Sequence, residues 1–107
     1  MSSFSDWKGC QTIRARAQRD QDFRQALLRE AVECVLNGDL PTGKAVLRDY
    51  VNATVGFPGL ERHTQIPAKS LMRMLGPKGS PSAANLAVIL TAIQKTEGVR
   101  FELSLKR

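Results

Sequence analysis

The sequence predicts a mainly α-helical domain of five helices, two of them forming a helix-turn-helix, followed by one C-terminal β-strand. Apolar residues recur at helical spacing in several stretches, and glycines and prolines separate these stretches. Only after Gly98 do apolar and polar residues alternate strictly, as in a strand. The length of 107 residues and the hydrophobic fraction of 42% suit one domain with a single core. We divide the chain into an N-terminal arm, residues 1–18, and a helix-turn-helix domain with a C-terminal strand, residues 19–107.

The first two predicted helices are Arg19–Asn37 and a helix that Asp39 caps and that runs to about Thr54. Acidic residues in the first turn of the first helix interact favourably with the positive end of the helix dipole. Gly38 can adopt the left-handed conformation that ends the helix. Both helices carry an apolar stripe at helical spacing. The arm before them is polar apart from a few residues that include Phe4 and Trp7. It is either disordered or anchored by these aromatic residues.

The predicted helix-turn-helix consists of Phe57–Thr64 and Pro67–Leu75, joined by a tight corner at Gln65 and Ile66. Proline suits the first turn of a helix, and Gly-Pro at residues 76–77 stops it. The second helix has an apolar face and a basic face, with Lys69 and Arg73 four residues apart on the basic one. Two short helices joined by a short turn, the second of them basic, are typical of DNA-binding proteins.

Ser82 caps a fifth predicted helix that runs to about Thr96, and the tail from Gly98 to Lys106 is predicted to be a half-buried strand. Its alternating apolar residues are Val99, Phe101, Leu103 and Leu105. A lone strand lacks a partner for its backbone groups. We expect it to pair with the same strand of a second copy, making a homodimer, or with another protein. The alternative is a tail that lies on the helices.

The positive charge is concentrated around the predicted helix-turn-helix. The net charge is +6, and no acidic residue lies between Glu61 and Glu97, whereas this segment holds Arg62, Lys69, Arg73, Lys78 and Lys95. Such a concentration favours a nucleic-acid partner. Arg73 is the candidate for reading guanine, and Lys69, Lys78 and, more weakly, Arg62 are candidates for phosphate contacts. Ser82 and Asn85, at the start of a helix, are further phosphate candidates. The alternative is a basic helix face that is simply solvated.

Other classes of site find no support in the sequence. Cys10 and Cys34 have neither metal-ligand nor disulfide-framework spacing and are expected to be reduced thiols. His63 is the only histidine and has no partner at a useful spacing for a metal site or a general base. We therefore expect no catalytic residues, no metal and no cofactor. With no signal-peptide core and no apolar run of membrane length, we expect a cytoplasmic protein that does not bind membranes.

Two blocks resemble a known family. They are Gly43-Lys-Ala-Val-Leu-Arg-Asp-Tyr-Val-Asn-Ala-Thr-Val-Gly-Phe57 and Ile66-Pro-Ala-Lys-Ser-Leu-Met-Arg-Met-Leu-Gly-Pro-Lys-Gly79. Together with the Asn-Leu-x-x-Ile-Leu helix and the Gly-Val strand, they are similar to addiction-module antidote proteins, the HigA-like antitoxins, and related small transcriptional regulators. The resemblance implies a phage-repressor-like helix-turn-helix that binds operator DNA, usually as a dimer. It also implies autorepression of a toxin–antitoxin operon and a cognate toxin. The matching base-reading helix holds Lys69, Ser70 and Arg73, the next loop holds Lys78, and the following helix start holds Ser82 and Asn85.

The sequence departs from the family pattern at Glu61, where a small residue is usual, and at Gln65, where glycine is usual. A buried Glu61 would be costly unless paired, and Gln65 would have to avoid a positive φ. We expect either a different turn or weaker DNA binding. The second functional hypothesis is therefore a protein-interaction module that holds a toxin or a second copy and binds DNA weakly or not at all.

Overall fold

Helices account for almost all regular structure in residues 15–106, the part of the chain that the computed structural model describes. Residues 15–19 are helical, and five further helices follow: α1 (Gln21–Leu36), α2 (Leu40–Ala53), α3 (Gly56–Thr64), α4 (Ala68–Met74) and α5 (Ala83–Glu97). This confirms the mainly α-helical class. Most of the predicted arm, including Phe4, Trp7 and Cys10, lies outside the described residues.

Helices α1 and α2 form a hairpin that begins and turns where the local sequence predicts. The Asp20 carboxylate accepts a hydrogen bond from the N–H of Phe23 at 3.1 Å, and this bond lowers the pKa of Asp20. Asp39 accepts in the same way from the N–H of Thr42 at 3.3 Å. The two helices approach most closely at Gly43, where a Cβ would lie 2.9 Å from Cγ2 of Val35. Glycine is therefore required at this crossing.

The core lies between this hairpin and helices α3, α4 and α5. Helix α3 packs against α2, α4 and α5. The largest fully buried side chains come from all five helices: Leu28, Leu47, Tyr50, Val51, Leu60, Leu71, Leu75, Ile89 and Ile93. Because α4 is only seven residues long, it depends on this packing for its stability.

A buried polar network joins the ends of α1, α2 and α5. Nε of Arg24 donates to both carboxylate oxygens of Glu97, at 3.0 and 3.1 Å, and the hydroxyl of Tyr50 donates to the same carboxylate. Arg24 also donates to the carbonyl of Ala17, which is fully buried. The hydrogen bond to Glu97 raises the pKa of Arg24, and burial raises the pKa of Tyr50. The network ties residues 15–19 to the helical core.

The predicted C-terminal strand is not formed within residues 15–106. The N–H groups of Val99 and Phe101 donate to Gln94, to its backbone carbonyl at 3.0 Å and its side-chain oxygen at 2.9 Å. The tail thus folds back over the end of α5 and half-buries Val99 and Phe101. Leu103 and Leu105 beyond them are 77% and 99% exposed. A strand needs a neighbouring extended segment to pair with, and the described part of a single chain offers none.

Candidate nucleic-acid interface

The turn between α3 and α4 is built on a left-handed residue. Gln65 has φ 65° and ψ 18°, and its N–H donates to the carbonyl of Glu61 at 2.8 Å. Thr64 is buried beside it, and its hydroxyl donates to the carbonyl of Leu60 and accepts from the N–H of Ile66. The expectation that Gln65 avoids a positive φ is therefore wrong. The hydrogen bonds around the turn hold a residue that bears a Cβ in a conformation that glycine adopts more easily.

Glu61 is exposed rather than buried, and it caps the next helix. Its Oε1 accepts a hydrogen bond from the N–H of Ala68, the first residue of α4, at 2.9 Å. Pro67, the N-cap of α4, offers no side-chain acceptor for the free N–H groups there. The carboxylate of Glu61 fills that role across the turn. The residue that looked like a departure from the helix-turn-helix pattern therefore contributes to the placement of α4.

Helix α4 turns its apolar residues inward and its basic residues outward. Leu71 is fully buried, as is Leu75 directly after the helix, whereas Lys69 and Arg73 are exposed. Ser70 is half-buried. Met72 is 47% exposed and lies on the helix between the two cations. Lys69, Met72 and Arg73 are spaced i, i+3 and i+4, so they form one continuous outward stripe.

Two cations from α2 hold the carboxyl end of α4 and the loop that follows. Lys44, 6% exposed, donates from Nζ to the carbonyls of Gly76 at 2.9 Å and Gly79 at 2.5 Å. Arg48 donates to the carbonyl of Leu75. The sequence alone predicted no role for Lys44 or Arg48. The signal that would have found Lys44 is its spacing, since it lies three residues before Leu47 on the inward stripe of α2.

The other predicted contact residues lie on both sides of α4. Lys78 is exposed in the loop held by Lys44. Ser82 caps α5, where its hydroxyl oxygen accepts from the N–H of Asn85 at 3.1 Å, so this oxygen already serves the helix. Asn85 is half-buried, and Arg62 is exposed on α3, before the turn. The structure thus places Lys69 and Arg73 on one face and Lys78 in the adjoining loop, with Arg62 on a separate helix.

The charges of this surface are not neutralised within the described chain. The salt bridges among residues 15–106 join Arg16 to Asp20, Arg24 to Glu97 and Arg100 to Glu102. None of them involves a cation of residues 62–96. The side chain of Glu97 is only 4% exposed. Glu61 is consequently the one acidic side chain at the surface of the described helix-turn-helix.

A second surface is a groove between α1 and the C-terminal tail, residues 99–106. We call it the α1–tail groove. It has a volume of about 640 Å³, and its apolar lining consists of Leu28, Val32, Leu36, Val99, Phe101 and Leu103. Leu36 is 63% exposed. Of the four residues predicted to mediate dimerisation, three therefore line this groove, while Leu105 projects into solvent.

Neither a metal site nor a membrane span is found in the described residues. No group of three or more His, Cys, Asp and Glu side chains within residues 15–106 is arranged to hold a metal ion. No helix in the same range is long and apolar enough to cross a membrane. Cys34 is a free, half-buried thiol, and burial raises its pKa, which disfavours the reactive thiolate.

In comparisons with known proteins, no family model, no curated protein and no solved structure matches this chain.

Proposed function

We propose that this protein is a sequence-specific, double-stranded-DNA-binding transcriptional regulator. The observation that carries the proposal is the exposed basic face of α4, continued by Lys78, in a segment of 35 residues from Arg62 to Thr96 that contains no acidic side chain. A short helix whose apolar face is buried on its predecessor, and whose basic face is open, has the dimensions to enter a major groove.

Each exposed cation has a role that follows from its position. Arg73, near the end of α4, is proposed to donate two hydrogen bonds to guanine, the commonest base-specific contact in DNA complexes. Lys69 and Lys78 are proposed to contact phosphates and so fix the register of α4 without reading sequence. Arg62 on α3, and Ser82 and Asn85 at the start of α5, would extend these backbone contacts.

The proposed regulator acts as a homodimer, with the tails of two copies paired as strands. The exposed apolar side chains of Leu103 and Leu105 support this arrangement. Two copies related by a two-fold axis would present their α4 helices to half-sites about one DNA turn apart. The narrower proposal, an antitoxin-like autorepressor of a toxin–antitoxin operon, rests on the family resemblance of the sequence alone.

The test is DNA binding by the purified protein across a salt series, with duplexes from upstream of its own reading frame and random duplexes of equal length. We expect preferential, salt-sensitive binding to the upstream DNA. Replacing both Lys69 and Arg73 with Ala should remove the preference. The matched control is the double replacement of Arg19 and Arg29 with Ala, which removes the same charge from exposed residues outside the basic segment. The proposal would be refuted if both double replacements reduced the preference for upstream DNA equally, or if the wild-type protein bound no DNA at low salt.

The α1–tail groove favours a second candidate function, the binding of a protein partner with weak or absent DNA binding. Its exposed leucines, Leu36 and Leu103, lie beside half-buried apolar residues on a surface that the described chain leaves open. Replacing Leu103 with Asp should weaken self-association, measured by light scattering, or binding of the product of the neighbouring gene. A wild-type protein that associates with that product and shows no affinity for any duplex would favour this second candidate.

A further inference from the structure

We propose that Lys44 and Arg48 are positioning residues of the DNA-binding surface, because they hold the end of α4 and the loop that presents Lys78. This inference rests on the proposed DNA-binding function. It assigns a role in recognition to two side chains of α2 that face away from the DNA and into the protein.

The ammonium group of Lys44 is buried and bonded only to backbone. It reaches from α2 to the carbonyls of Gly76 and Gly79, which are 32 and 35 residues away in the sequence. Within residues 15–106 it forms no salt bridge. A buried cation without a carboxylate partner is costly unless other groups solvate it. Here the solvating groups are the carbonyls of Gly76 and Gly79, which lie in the loop just beyond the end of α4.

Arg48 extends the same arrangement by one helical turn of α2. It lies four residues after Lys44, on the same face, and donates to the carbonyl of Leu75. The last carbonyls of a helix lack partners within the helix. Two cations on one rigid helix therefore satisfy carbonyls at residues 75, 76 and 79 together and tie the end of α4 to α2.

The backbone at Gly79 shows how closely the loop is held. A Cβ at this position would overlap the carbonyl group of Arg73, so the loop packs directly on the last turn of α4. The N–H of Gly79 donates to the carbonyl of Gly76 at 3.3 Å. Lys78 lies between these two anchored glycines, so its backbone is held close to the last turn of α4 while its side chain is exposed. If Lys44 is lost, the loop is released and the phosphate contact of Lys78 is lost with it.

The experiment is a double-mutant cycle on DNA binding, with Lys44→Met, Lys78→Ala and the two combined, measured on the upstream duplex across a salt series. If Lys44 acts through the loop, each single variant reduces the salt slope by about 0.9, the share of one phosphate contact, and the combination reduces it no further. If the reductions of the salt slope in the two single variants add in the double variant, the inference is overturned.

Two control variants distinguish a positioning role of Lys44 from a general effect of removing a positive charge and from a loss of stability. Arg19→Met removes one exposed cation outside the basic segment and should leave the salt slope unchanged. Tyr50→Phe weakens the buried network instead, so it should lower the thermal midpoint and leave the slope unchanged. If Lys44→Met does not fold, Arg48→Met replaces it in the cycle, because Arg48 holds the carbonyl of Leu75, the residue from which the loop leaves α4.

The experiment distinguishes a failure of this inference from a failure of the proposed DNA-binding function. A wild-type protein that binds no duplex refutes both. A wild-type protein that binds the upstream duplex, together with a Lys44→Met variant whose effect adds to that of Lys78→Ala, refutes only the positioning role.

Discussion

Replacing Gln65 with glycine is expected to stabilise the protein, because Gln65 is the only residue other than glycine with a positive φ in the described chain. The left-handed conformation costs about 1–2 kcal/mol for a residue that bears a Cβ. Glycine avoids this cost but loses more backbone entropy on folding, by about 0.5–1 kcal/mol. The Gln65 side chain is exposed and forms no hydrogen bond with the described residues, so nothing else is lost. The net gain should be about 0.5–1 kcal/mol.

Thermal unfolding followed by circular dichroism measures this gain. For a domain of this size, a gain of 1 kcal/mol corresponds to about 4–8 °C in the midpoint, so Gln65→Gly should raise it by several degrees. Gln65→Ala is the matched control, since it removes the side chain but keeps the Cβ and the backbone penalty. Gln65→Asn should fall between the two, because asparagine tolerates this conformation better than most residues. A glycine variant no more stable than the alanine variant would refute the reasoning.

Three further predictions follow from single contacts. Glu61→Ala should lower the free energy of unfolding by about 1 kcal/mol, the usual contribution of a helix cap, as measured by urea unfolding. Glu61→Gln should lose less stability and bind DNA more tightly at low salt, since it keeps an acceptor and removes a negative charge; weaker DNA binding would contradict this. Gly79→Ala should destabilise the loop at residues 76–79, seen as faster amide exchange at Gly79, because its Cβ overlaps Arg73. The raised pKa of Tyr50 favours the neutral phenol in the folded state, so its contribution to stability is complete below its ordinary value of 10.0 and declines as the pH rises above it. Tyr50→Phe should therefore cost about 1.5–3 kcal/mol at pH 7 and flatten the decline above pH 10; an unchanged decline would exclude Tyr50 as its origin.

Most of the helix boundaries could be predicted because they depend on neighbouring residues. Asp39 and Ser82 cap α2 and α5 through bonds to the N–H three residues later, as predicted. Asp20, predicted to lie in the first turn of a helix beginning at Arg19, instead caps α1, which begins at Gln21. Gly98 ends α5 with φ 75°. The tail was predicted less well, since its alternating pattern shows which side chains share a face but does not supply a second strand to pair with.

The roles of Glu61, Lys44 and Arg48 required the tertiary structure. Glu61 was expected to be costly if it were buried without a partner, yet it is exposed and bonded to Ala68 across the turn. Its role depends on the angle between α3 and α4, which the pattern of apolar residues does not determine. Lys44 and Arg48 contact carbonyls about 30 residues further along the chain, and only the tertiary fold brings these groups together.

The sequence by itself determined the helical class, the caps and the two-faced character of α4, because each follows from interactions within three or four residues. It also determined that no acidic residue lies between Glu61 and Glu97, the observation from which the DNA-binding proposal follows. Only the tertiary structure decided how α4 is held, through Glu61 at its first residue and two cations from α2 at its last carbonyls. Those contacts join elements that are distant in the chain, and their geometry arises from how the helices pack against one another.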